Sequence, residues 1–145
     1  MDFTVTHIAV KNEKGMMEVL RCHILLLIHV CTRKVVCAGI SSNPDGQWVI
    51  NALRSHLGFD LQAVKTIIMD QDPLFKPARK WLKDIGIGIK PLPPNSPNLN
   101  AYIERFHWTL KSELLMWTFP TSARQLHYVV SEYRIITIIG VLISL

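Results

Sequence analysis

Apolar and polar positions alternate through residues 3–10 (FTVTHIAV), the period-two pattern of a strand with one buried face. Lys11–Gly15 are polar and read as a turn. Val19–Val30 then run almost continuously apolar, as a strand does when both of its faces are covered. Thr32–Lys34 turn the chain into a third strand, Val35–Ile40. SSNPDG opens a helix with apolar positions at Val49, Ile50, Leu53 and Leu57, and Gly58 is placed to end it. A short buried strand (64–69), a helix (Phe75–Lys83) and another strand (Ile85–Pro91) follow. Three strands, then helix, strand, helix, strand and further helices is an α/β order, with hairpins first and crossovers after.

The last major helix has the clearest pattern. Ser96 suits the N-cap and Pro97 the first helical position. Leu99, Ile103, Phe106, Leu110 and Leu114 form one stripe at helical spacing, which predicts a face packed on the sheet. Asn100, Glu104, His107 and Lys111 share a neighbouring face.

Composition narrows the class. The 145 residues suffice for one domain with a real core. Mean hydropathy is +0.22, yet the longest apolar run, Ile24–Ile28, falls far short of the roughly 20 residues a bilayer span needs. No membrane role and no secretory signal are expected, so the cytosol is the default. Cys22, Cys31 and Cys37 lack metal-ligand or CxxC spacing and read as reduced, partly buried thiols. His23 and His29 lie near two of them. Strand alternation points Cys22 away from His23, His29 and Cys31, so packing is the better reading than zinc. Trp48, Trp81, Trp108 and Trp117 are spread singly, as core or rim residues are. A net charge of +5 and a pI near 9.3 are compatible with a polyanionic partner.

Within this basic chain the acids cluster. Asp70 follows a β-rich run (KTIIMDQD, 65–72), Glu104 lies on the helix after the loop PLPPNSPNLN, and Asp2 opens the first strand. Three carboxylates from separate elements are what two-metal phosphoryl-transfer chemistry requires. Asp72 reads as a turn residue, and His107 as an exposed histidine on the face of Glu104.

These segments resemble the catalytic core of the DDE transposases and retroviral-type integrases, in particular the bacterial insertion-sequence branch. DFTV resembles the family's first acidic strand, and TRKVVCAGISSNPDGQWV its second turn, third strand and first helix. IMDQDPLF resembles the segment of the second acid, and PNSPNLNAYIERF the P-x-x-P-x-x-N-x-x-x-E-R segment of the third. Thirty-three residues separate Asp70 from Glu104, close to the family's usual spacing.

The resemblance implies a ribonuclease H-like α/β fold, with a five-stranded mixed sheet flanked by helices. It implies a triad of Asp2, Asp70 and Glu104 holding two Mg²⁺ or Mn²⁺ ions, as hard cations prefer carboxylate oxygen. The implied reactions are DNA nicking at element ends and strand transfer into target DNA, carried out by a homo-oligomer in the bacterial nucleoid. Asn100 and Lys111 would contact DNA, and Arg105 would do so or serve as a surface ion-pair partner.

The expected organisation is a catalytic core over residues 1–134 and an aberrant apolar tail over 135–145. Relative to the family, the first acid stands at the very start of the chain, which reads as a truncation. The tail IITIIGVLISL replaces a basic Y-Y-N-x-R-R-P-H-like segment. A one-base backward shift, under a suitable choice of synonymous codons, converts it to Tyr-Tyr-Asn-His-Arg-Arg-Pro-His-Gln-Ser. We therefore read a frameshift near Arg134, which incompatible codons in the gene would disprove. Such a β-branched tail is an aggregation liability. Two alternatives to an active integrase stand beside it. One is an inactive remnant that binds DNA weakly or inhibits full-length transposase. The other is a ribonuclease H-like nuclease outside transposition, which the N-x-x-x-E-R helix argues against.

Overall fold

The computed structural model describes residues 1–29, 35–58, 64–91, 104–116 and 118–132. Asn100, Ser96, Pro97, Leu99, Ile103, Cys31, Trp117 and the 135–145 tail therefore lie outside the described residues.

Strands β1 (Asp2–Lys11) and β2 (Met17–Ile28) form an antiparallel hairpin. Its turn is closed by Asn12, whose carboxamide oxygen accepts the backbone N–H groups of Lys14 and Met16, each at 3.0 Å. Gly15 takes a φ of +77°, which a side chain would strain. Strand β3 (Val35–Ser41) joins β2 antiparallel, with a register shift opposite Leu25 and Leu26.

Helix α1 (Gly46–Leu57) begins at Asp45, whose carboxylate accepts the N–H of Trp48 at 2.6 Å. It ends at Gly58, as the sequence predicts. Strand β4 (Thr66–Met69) leads through a 3₁₀ turn (Pro73–Phe75) into α2 (Lys76–Asp84). Strand β5 (Gly88–Pro91) then pairs parallel with β4. Residues 104–109 and 123–132 are helical.

The apolar run of β2 is explained by its two covered faces. Leu25 and Leu27 pack with Val49, Leu53, Phe75 and Leu82 beneath α1 and α2. Ile24, Leu26 and Ile28 pack with Phe106, Leu110, Leu126 and Val130 under the C-terminal helices. The sheet thus lies between two helical layers, an α/β arrangement of the ribonuclease H-like kind.

Two details depart from expectation. Among the described residues, the expected five-stranded sheet is instead a three-stranded antiparallel sheet, β1-β2-β3, and a two-stranded parallel one, β4-β5. They meet where the amino group of Met1 donates to the carbonyl of Ile68 at 2.8 Å, which sets the start of β1 beside β4. β4 is only four residues long, which leaves little backbone for a longer ladder.

The helix from residue 104 also changes character, widening to a π-helix over Leu110–Leu115. There the Ser112 hydroxyl donates to the carbonyl of Trp108 at 2.8 Å, in competition with the normal helical donor. Phe106 and Leu110 are buried and Leu114 half-buried, so the predicted packed stripe holds over its described part. Among the described residues, no helix is long and apolar enough to cross a membrane.

Candidate active site at the junction of Asp2 and Asp70

The site begins with an aromatic anchor. Phe3, the residue after Asp2, stacks on Phe75 with ring centroids 4.8 Å apart and planes 3° from parallel. Its ring also faces Trp48 at 6.3 Å and meets the His23 ring edge-on at 6.2 Å. Phe75 is fully buried and closes the 3₁₀ turn that follows Asp70 and Asp72. One ring pair therefore ties the strand that carries Asp2 to the turn that follows Asp70.

Asp2 is half-buried. One carboxylate oxygen accepts the N–H of Phe3 at 2.7 Å, and the other lies 3.9 Å from Nδ1 of His107. Burial raises the Asp2 carboxyl above the ordinary aspartate value. The Phe3 N–H bond and the Met1 ammonium oppose that rise, while the negative charges of Asp70 and Asp72 add to it. The Met1 amino group is itself lowered to about 6, chiefly by burial.

Asp70 stands one residue beyond the end of β4, exposed, with Oδ1 accepting the N–H of Gln71 at 2.6 Å. Asp72 caps the 3₁₀ turn by accepting the N–H of Leu74 at 2.8 Å, which is the turn role read from the sequence. Arg79 of α2 donates from one terminal nitrogen to two carbonyls, Asp70 O at 3.1 Å and Asp72 O at 2.9 Å.

On the facing helix Glu104, Arg105 and Lys111 are exposed. His107 is not the exposed histidine expected. Its side chain keeps 15% of its accessible surface, because the ring lies against Asp2 at the start of β1. Burial, then Lys111, then the Met1 ammonium lower its pKa to about 4, so the imidazole is neutral at pH 7. Its Nε2 is buried with no hydrogen-bond partner.

The structure thus brings Asp70 and Asp72 within electrostatic reach of Asp2 and sets His107 against Asp2. Among the described residues, no three His, Cys, Asp or Glu side chains gather closely enough to hold a metal ion. The Asp2–Asp70 pair is nevertheless chemically suited to a divalent cation, with hard oxygen donors under mutual repulsion that a cation relieves. Cys22 is fully buried in the core, as its packing reading expects. Trp48 and Trp81 pack at the edge of the core, whereas Trp108 is 68% exposed.

The sequence reading missed Arg79, since nothing in the helical pattern of 75–83 marks a residue that reaches backward to a turn. His107 carried a signal, its place one turn beyond Glu104, that was read too weakly.

Comparison with known proteins agrees with this fold. No curated protein matches the sequence. Among solved structures, a chain of the simian T-cell lymphotropic virus intasome, determined in complex with PP2A regulatory subunit B56 gamma, superposes with a TM-score of 0.60 at 17% identity. The match covers 88% of this chain and 45% of that one, so this chain spans less than half of its length; the likeness is one of fold. The sequence pattern of the integrase core domain matches residues 1–97, a stretch that includes Asp2 and Asp70 and stops short of Glu104. Family members normally use divalent metals. With well over half of its residues inside that pattern, the chain belongs to the integrase core domain family.

Proposed function

We propose that this protein is the catalytic core of a metal-dependent DNA integrase or transposase of the bacterial insertion-sequence branch, nicking DNA and transferring its ends. The observation that carries the reading is the Asp2–Asp70 pair, two carboxylates in electrostatic contact where β1 meets β4 in an integrase-core fold. Asp2, Asp70 and Glu104 would hold Mg²⁺ or Mn²⁺, which when bound supplies charge stabilisation to an in-line displacement at phosphorus.

The chain's own residues complete the site. Phe3 and Phe75 fix the separation of the two acids, and His107 lies against Asp2 without adding charge. Lys111, exposed one turn beyond His107, has the placement and sign to meet a DNA phosphate. Arg105, on the same helix, and Asn100 would join it, with DNA ends and target as substrates and a homo-oligomer as the working form.

A labelled duplex incubated with Mn²⁺ and the purified chain tests this. Nicking is expected from the parent, and Asp70→Asn and Glu104→Gln should each abolish it while retaining a cooperative melt, because removing a carboxylate relieves repulsion in the metal-free state. A variant that still nicks DNA overturns the site assignment. A second reading, an inert core that at most binds DNA, is favoured by the absence of a three-donor cluster among the described residues. A well-folded parent that never nicks would establish it.

A further inference from the structure

The turn after β4 raises a question of control. Among the described residues the parallel ladder ends at Met69 and Pro91, and none of them pairs with the carbonyl of Asp70 as a ladder partner. Asp70 is exposed, and its carboxylate bonds only to the adjacent backbone at Gln71 among the hydrogen bonds described, a contact that orients it locally and nothing more. Yet a metal-binding carboxylate must be held closely, within about 0.5 Å of its working position. The segment from Asp70 to Asp72 therefore needs an outside support.

Arg79 supplies one. It lies on α2 between Ala78 and Leu82, both fully buried, so its helix is seated in the core. From there one guanidinium nitrogen donates to Asp70 O and Asp72 O together, joining both ends of the three-residue segment to one donor. Asp72 O also accepts the N–H of Phe75 at 3.0 Å, so the far end is fixed from two directions. The near end, which carries the acid, has the guanidinium as its described support.

We infer that Arg79 is the positioning residue for Asp70, clamping the backbone of the 70–72 turn so that the Asp70 carboxylate faces Asp2. The role rests on the proposed metal site. It is backbone-directed: the guanidinium binds carbonyls, leaving the carboxylate oxygens of Asp70 available to a cation. A planar guanidinium whose N–H donors diverge at fixed angles suits two separate carbonyls better than a flexible ammonium does.

The test measures Mn²⁺ affinity by electron paramagnetic resonance, beside metal-free thermal melts, for the parent, Arg79→Gln, Arg79→Lys and Asp70→Asn. Supports of this kind are worth about 10- to 100-fold in metal affinity. Arg79→Gln should weaken Mn²⁺ binding about 10-fold or more, with a metal-free melting midpoint close to that of the parent. Arg79→Lys, which keeps the charge and part of the reach, should recover part of the affinity. Unchanged Mn²⁺ affinity in Arg79→Gln, with Asp70→Asn still losing it, overturns the clamp and leaves the site standing. Unchanged affinity in Asp70→Asn removes the site reading and the clamp with it. If Arg79→Gln does not melt cooperatively, Arg79→Lys decides: parental affinity refutes the clamp, and intermediate affinity with a parental melt supports it.

Discussion

Asp2 and Asp70 carry the same group to the same junction, and they are held by opposite means. Asp2 opens a ten-residue strand, half-buried, and its neighbour Phe3 is stacked into the core. Asp70 lies past the end of a four-residue strand, exposed, on a turn fixed by a hydrogen bond that Asp72 accepts and by those that Arg79 donates. One acid is placed by packing and the other by polar contacts. The difference teaches that the two halves should fail separately: loss of packing should unfold the chain, whereas loss of a turn contact should spoil geometry at small cost in stability.

The largest expected effect breaks the packed half. Phe75→Ala removes a fully buried ring that touches Phe3, and should cost about 3–5 kcal/mol in denaturant melts. A loss below about 1 kcal/mol would mean that the stack does not hold the start of β1.

On the turn side, Asp72→Ala deletes the side-chain cap at Leu74 N and should cost about 1 kcal/mol by the same measurement. A cost equal to that of Phe75→Ala would erase the contrast between the halves.

The last effect concerns pH. The His107 pKa falls from 6.5 to about 4 on folding, so between those values the unfolded chain holds a proton that the folded chain does not. Stability from this group is complete above pH 6.5 and declines as pH drops toward 4. Asp2, raised in the fold, takes up its proton more readily when folded and offsets part of that loss. Melting midpoints between pH 7 and 4.5 should therefore fall modestly for the parent and less for His107→Gln. Identical slopes would show that His107 is solvated.

Much of the fold was legible because hydrophobic period reports burial directly. The two-faced run of β2, the SSNPDG opening of α1 and its Gly58 stop were all readable from local sequence. Asp2 and Asp70 were readable as acids at strand starts and ends, and their proximity in the structure follows from β1 lying beside β4. What escaped depends on distance in three dimensions. Arg79 reaches back to a turn, His107 lies against the start of a strand far away in sequence, and the π-helical turn has no period of its own in the apolar pattern. The division of the sheet escaped too, since strand length predicts a ladder only when its neighbour's length is known.

The two covered faces of β2 have a consequence for how the molecule comes apart. Ile24 and Leu26 belong to one core and Leu25 to the other, on successive residues of one backbone. Neither core can be opened without releasing a strand on which the other depends. Amide hydrogens along β2 should thus exchange together, at the rate of global unfolding, whichever helical layer loosens first.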